Sequence, residues 1–425
     1  VKVPDPENKG KFIEKEEDDP DWATARSILT ELLNNRAEMK SYDRSVMWNY
    51  WGYLYFSDED YDKAMYAYEQ LLKEPEATVP LRTASLLTLA QLNLVKERWD
   101  KGISLILQWM EEVETVTAQS YYLLASAYFQ KTDYVRARSN MEEAIRLAEE
   151  EGYRPKENWY VLLAACFSEL KDKKIISAQY ALEQQVGIYE ILVNYYPKKM
   201  YFLQLGGTYQ QMDREEDYML TLKAAYNKDL LDKEGEYLAL AQMLLLKKNP
   251  YWAAQVLVSG QQKKVTIKDE ETGEEEVVAV VKEKEKTLKL LADAWRMAQE
   301  IDMAIPVLEK AAKMSKDGDT YVLLGNLYLF EDRMQDSIRA IEAGLKKPKV
   351  KSRSQALLVL GQAHFELQNF EEAKKQFRAA ARDENKRIKK TANSWIKYAE
   401  NEEVRVKNLA LRRDFIQQSK AQSKS

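Results

Sequence analysis

The chain has 425 residues, with 64 Lys or Arg against 69 Asp or Glu and a net charge of −5, a near balance that leaves no nucleic-acid footprint. One histidine, His364, and one cysteine, Cys166, exclude a disulfide framework, a zinc knuckle and most histidine-based catalysis. Only 14 Gly and 10 Pro argue against an all-β protein, while 26 Tyr, 9 Trp and 10 Phe argue against disorder.

Residues 1–19 are rich in Pro, Lys and Glu and acidic from Glu14 to Asp19, and they read as an irregular segment. Trp22, Ala25, Leu29 and Leu32 recur at helical spacing. They suit the second helix of a pair whose first is missing. Either that helix precedes Val1 or Phe12 and Ile13 cover the end. The chain starts at Val1 rather than Met and carries no signal peptide, as expected of a processed or trimmed protein.

From Trp48 the chain becomes periodic. A small residue is followed three positions later by a large one in Trp48-Asn-Tyr-Trp51-Gly52-Tyr-Leu-Tyr55, and the phrase runs on through Tyr61, Ala64, Tyr68, Leu71 and Pro75. The small position recurs at Gly52, Ala90, Ala125, Ala164, Gly206, Ala241, Ala292, Gly325 and Gly361, with steps of 38, 35, 39, 42, 35, 51, 33 and 36 residues. This is the tetratricopeptide pattern, W-x2-L-G-x2-Y…A-x3-F with a period of ~34 residues. Each repeat is a helical hairpin, and the small residue lets its two helices approach closely. No hairpin buries its apolar face alone, so stability comes from stacking on neighbours. The fold expected is all-α, a superhelical solenoid of nine to ten such hairpins over residues 20–384.

Two steps are long. The step of 42 residues lengthens Lys171–Tyr196, most simply as an extended second helix ending at Pro197. The step of 51 holds two β-branched runs around an acidic Glu-Thr-Gly centre between Val265 and Val281, which reads as a β-hairpin or loop inserted over 263–281. After Pro348, which cannot continue a helix, comes the last repeat. Residues 385–418 give one or two capping helices with Trp395, Tyr398, Val404 and Leu411 as burial candidates, and 419–425 is a flexible tail.

Motifs for chemistry are missing. The chain has no P-loop, no G-x-G-x-x-G after a strand, no H-E-x-x-H and no G-x-S-x-G. Gly206-Gly207 falls on the packing position, Cys166 reads as a buried inert thiol, and His364 stands where other repeats carry Tyr55, Tyr128 and Tyr328. No enzyme, cofactor or metal is expected. The longest unbroken apolar stretches, such as Tyr160–Phe167, are far too short to span a bilayer, which needs ~20 residues.

The concave face is the place to look for binding. First-helix positions two, five, nine and twelve line it in this repeat. Position nine reads Tyr53, Gln91, Ser126, Ala165, Gly207, Gln242, Asp293, Asn326 and Gln362; position five begins Asn49, Leu87, Tyr122, Val161, Leu203 and includes Lys289. Amides beside apolar side chains suit an extended peptide, whose backbone the amides pair. The candidate groove is Asn49, Tyr53, Gln91, Tyr122, Gln242, Lys289, Asp293, Arg296, Asn326 and Gln362. Charge is uneven elsewhere. Lys346–Arg353 is a basic loop, and from Lys386 to Ser425 eleven Lys or Arg face four Asp or Glu, which solvation, an anionic membrane surface or an acidic partner would each explain.

Whole phrases go beyond the generic repeat: Trp48–Ser57 with Tyr61-Asp-Lys-Ala64, Leu86–Leu92, Arg154-Pro-Lys-Glu-Asn-Trp159, Tyr195-Tyr-Pro-Lys-Lys199 and Tyr201–Leu205. In these the chain resembles the gammaproteobacterial tetratricopeptide proteins encoded beside TonB–ExbB–ExbD genes. The acidic insertion around Thr272-Gly273 departs from that pattern. The resemblance implies a periplasmic, non-enzymatic scaffold that helps a TonB system drive outer-membrane uptake of iron chelates, with TonB, ExbD or an outer-membrane receptor as partner. The rival expectation is a periplasmic chaperone or assembly factor for exported outer-membrane proteins. Oligomeric state stays open.

Overall fold

The computed structural model describes residues 2–4, 12–14, 22–268, 273 and 275–422. The chain divides into two compact units, Val1–Arg214 and Glu215–Ser425.

The first unit opens with two short strands, β1 (Lys2–Pro4) and β2 (Phe12–Glu14), paired antiparallel with Val3 opposite Ile13. The irregular segment expected over 1–19 is thus partly extended. Val3, Phe12 and Ile13 are strand formers, but runs of three residues are too short to read as periodicity. Whether Phe12 and Ile13 cover the neighbouring helix falls outside the described residues. Next come α1 (Trp22–Asn34) and four hairpins: α2 (Ser41–Ser57) with α3 (Tyr61–Leu71), α4 (Val79–Val95) with α5 (Trp99–Glu112), α6 (Ala118–Gln130) with α7 (Tyr134–Glu150), and α8 (Glu157–Asp172) with α9 (Ala178–Tyr195). The unit ends in α10 (Lys199–Gln211).

The second unit runs α11 (Glu215–Asn227), then α12 (Glu234–Leu246) with α13 (Pro250–Gln262). An antiparallel hairpin of β3 (Lys264–Lys268) and β4 (Glu275–Ala279) follows, with Thr266 opposite Val277. Three further helical pairs are α14 (Glu285–Met297) with α15 (Ile301–Met314), α16 (Asp319–Phe330) with α17 (Met334–Leu345), and α18 (Arg353–Glu366) with α19 (Phe370–Ala380). A single 37-residue helix, α20 (Lys386–Gln422), closes the chain.

The small residue at the repeat position does what its size permits. A Cβ on Gly52 would stand 2.6 Å from the ring of Tyr68, one on Gly325 would stand 2.5 Å from Ile341, and one on Gly361 would stand 2.5 Å from Phe377. In each case the partner lies sixteen residues on, across the hairpin. Ala90, Ala125, Ala241 and Ala292 repeat the offset with Ile106, Met141, Leu257 and Leu308, all buried. Ala164 breaks it, because five residues separate α8 from α9 where most hairpins use three. There the amide of Gln185 crosses instead and donates to the Ala164 carbonyl at 3.2 Å. The 42-residue step therefore comes from a longer turn as well as from a long second helix of 18 residues.

The tight turns inside the hairpins share one device. Glu59, Glu97, Thr132, Lys248, Gln299, Asp332 and Gln368 all hold positive φ of 56–65°. The following N–H then reaches the carbonyl five residues back, as from Arg98 to Asn93 at 2.8 Å and from Arg333 to Tyr328 at 2.8 Å. This is the Schellman closure of a helix end, usually given to glycine. Asp60 and Asp133 then cap the next helix by accepting from Lys63 and Arg136.

The insertion is seated at its root. The Val280 N–H donates to Lys263 O and that of Val281 to Gly260 O, and Val281 is buried against Gly260. At the other end of the unit, Ile388, Ala392, Trp395, Ala399 and Val406 of α20 pack on the α18–α19 pair. Lys374 is buried there between Glu371 and Glu403, at 2.8 and 2.7 Å. Of the four burial candidates only Trp395 lies on that stripe; Tyr398, Val404 and Leu411 are 52%, 57% and 67% exposed. The helix also continues through 419–422, where a frayed tail was expected; residues 423–425 lie outside the described ones.

Candidate functional site

Within each unit first helices of neighbouring hairpins touch, α6 with α8 in the first and α16 with α18 in the second. In the first unit the phenol of Tyr122 on α6 stacks on Trp159 of α8, ring centres 5.4 Å apart, and its oxygen accepts from Asn158 at 2.8 Å. Just before α10, Lys198 pairs with Glu157 of α8 at 2.6 Å, and Tyr201 of α10 donates to the same carboxylate. Lys198 first, then Tyr201, hold Glu157 below the usual carboxylate range. Burial, then that bond, pushes Tyr201 up to about 12.

Between α8 and α10 lies a recess of ≈ 350 Å³ lined by Val161, Ala164, Ala165, Met200 and, around them, Ser168, Glu169, Gln204, Tyr189 and Tyr201. Val161, Ala165 and Ser168 are the fifth, ninth and twelfth positions of their repeat. Its lining mixes apolar side chains, with Val161 and Met200 exposed, and an amide, a hydroxyl and a carboxylate. That combination takes one large side chain while pairing the backbone on either side of it.

The ten candidate groove residues divide between the units. In the first, Tyr53 is exposed and its ring lies 5.9 Å from Trp22, Asn49 is half-buried, Gln91 is exposed, and Tyr122 is engaged as above. In the second, Gln242 is exposed and Gln362 half-buried. Asn326 already donates to Val322 O of its own helix at 2.9 Å. Lys289 pairs with Glu285 at 2.6 Å and Arg296 with Asp293 at 3.2 Å, so the charged cluster on this strip is neutralised within α14. The residues of the α8–α10 recess were legible as groove positions but not as a site. They are small or apolar, and only the packing of two neighbouring helices shows that a hollow lies between them.

Cys166 is fully buried, and burial pushes its thiol up to about 12; a thiolate is the reactive form. Burial also holds His364 below its ordinary value. Among the described residues no group of three His, Cys, Asp or Glu could hold a metal ion, and no helix is long and apolar enough to cross a membrane.

Residues 118–151 and 322–386 match tetratricopeptide repeat models. With the hairpins and their small-residue contacts, this makes the chain a tetratricopeptide repeat protein. No curated protein matches the sequence. Among solved structures, MamA is similar at 19% identity over 44% of this chain and 92% of its own, with a TM-score of 0.35. A tetratricopeptide repeat protein from Parabacteroides merdae is 14% identical over 67% of this chain and 98% of its own, TM-score 0.26. YrrB, described as a TPR protein with an unusual peptide-binding site, is 14% identical over 47% and 91%, TM-score 0.33.

Proposed function

We propose that the chain is a non-enzymatic scaffold that holds an extended segment of a partner protein on the face made by its first helices, with the α8–α10 recess as the anchor. The exposed apolar side chains of Val161 and Met200, lining one recess with Ala165 and beside the polar groups of Ser168, Glu169 and Gln204, carry this reading. Binding of protein partners is the general use of tetratricopeptide hairpins, and the amides exposed at Gln91, Gln204 and Gln242 supply backbone pairing along the strip. The partner we propose belongs to a TonB–ExbB–ExbD system in the periplasm, on the strength of the sequence phrases at Trp48–Ser57, Arg154–Trp159 and Tyr195–Lys199.

The test is crosslinking in native periplasm with the full chain and with Ala165→Glu/Met200→Glu. Two carboxylates in the recess should weaken binding at least about tenfold, since an apolar side chain would then desolvate them. The wild-type chain should recover TonB, ExbD or a receptor plug, and the variant should lose it with its helicity unchanged. Recovery of none by the wild type refutes the TonB reading; equal recovery by both proteins refutes the recess.

A further inference from the structure

One end of the second unit carries cations with almost no counter-charge. Lys346, Lys347, Lys349, Lys351 and Arg353 lead into α18; Lys386, Arg387, Lys389, Lys390 and Lys397 lie on the first turns of α20. Neither run contains an Asp or Glu. Asp383, just before α20, is hydrogen-bonded to Ser354 at the start of α18, so the two runs border one another.

Several cations elsewhere in this unit are matched locally, among them Arg333 to Asp336, Lys374 to Glu371 and Glu403, and Arg405 to Glu402. Of the ten here, among the described residues only Lys351 comes within 4.0 Å of a carboxylate, Asp319, and its side chain is 90% exposed. Lys347 donates to the Ser315 carbonyl and lies 5.5 Å from the centre of the Tyr321 ring, and Arg353 donates to the Leu345 carbonyl. Uncompensated like charges repel and raise the local potential, which draws an anionic partner.

The patch is more than charge. The row Lys386, Lys390, Ser394 and Lys397 adjoins a hollow of ≈ 480 Å³ lined by Lys390, Thr391, Ser394, Trp395 and Tyr398. It has an aromatic wall beside ammonium groups. Lysine outnumbers arginine eight to two among the ten, so the surface offers mostly compact point charges, and it is the aromatic hollow beside them that suits a polypeptide side chain. We propose that this surface docks an acidic segment of a partner polypeptide, with an aromatic side chain of that segment entering the Trp395–Tyr398 hollow. It is a second contact, independent of the α8–α10 recess.

The experiment follows the fluorescence anisotropy of a labelled peptide of Asp and Glu with one central Phe, added to the full chain. Binding should weaken as salt rises. Lys386→Glu/Lys390→Glu and, separately, the loop variant Lys349→Glu/Lys351→Glu should each weaken it at least about tenfold. Replacing the peptide's Phe by Ala should weaken it several-fold. Lys73→Glu in the first unit, and the recess pair Ala165→Glu/Met200→Glu, should leave it unchanged, which separates this contact from the recess. Absence of peptide binding overturns the proposal, as does binding that survives both charge reversals. Capture of phosphatidylserine vesicles or a single-stranded oligonucleotide in place of the peptide overturns it as well.

Discussion

Gly361→Ala sets two opposed effects against each other. Alanine in a helix interior gains about 1 kcal/mol over glycine. At Gly361, however, the new methyl would sit 2.5, 2.7 and 2.9 Å from three ring atoms of Phe377. Phe377 is fully buried and stacks on Trp395 of α20 at 5.5 Å, so it can yield only by pressing on the terminal helix. Overpacking of this kind costs about 1–3 kcal/mol. Gly187, inside α9, has nothing within 4 Å of its would-be Cβ. Gly187→Ala should therefore stabilise by about 1 kcal/mol. The two variants share the propensity gain, so their difference isolates the clash, about 1–3 kcal/mol against Gly361→Ala. Urea unfolding followed by circular dichroism gives the sign, and native-state hydrogen exchange over α18–α20 shows where protection is lost. Gly361→Ala with Phe377→Leu should cost less than the two single changes added together, because the smaller side chain leaves room for the methyl. Equal stabilisation by both alanines, or strict additivity in the double variant, would refute the close-approach account of the repeat.

Two further changes bear on single residues. His364 is held below its ordinary value of 6.5, chiefly by burial, against Glu372 and Glu342, which pull it up, and with Lys375, which pulls it down. The unfolded chain thus binds the extra proton first. This contribution to stability is fully present above 6.5 and lost as pH falls through 6.5 toward the folded value. As the only histidine, it should account for the drop in urea midpoint between about pH 7 and pH 5.5, and His364→Tyr should flatten that slope; an unchanged slope would discount the burial. Asp332 holds φ at 57° in an exposed turn. Asp332→Gly should raise stability by up to about 1 kcal/mol by relieving the left-handed backbone, and a loss of stability there would mean that the aspartate makes a contact worth more than the strain.

The repeat was legible because its cause is local. Gly52, Gly325 and Gly361 are needed where two helices of one hairpin touch, and hairpins of one length place that demand at a regular interval along the chain. The insertion was legible for the same reason: β-branched runs flanking Gly273 depend on near neighbours, and the pairing of Thr266 with Val277 follows. The strands at Lys2–Pro4 and Phe12–Glu14 were missed, since runs of three residues carry no period.

The candidate site is a different kind of property. Val161 and Met200 are 39 residues apart in sequence, and nothing in either residue says that a hollow separates α8 from α10. Lys289, Asp293 and Arg296 read as a charged cluster of the groove, but Lys289 pairs with Glu285 and Arg296 with Asp293 on the same helix. The ten cations beside α18 and α20 form two runs that the packing of α20 on α18–α19 and the Asp383–Ser354 bond bring side by side. Sequence alone determined the helical hairpin and its repetition, because both follow from side-chain size at short range. Tertiary structure decided where hollows open, which charges stay unpaired and how the chain divides into two units, because these depend on distances between residues that the chain itself does not hold together.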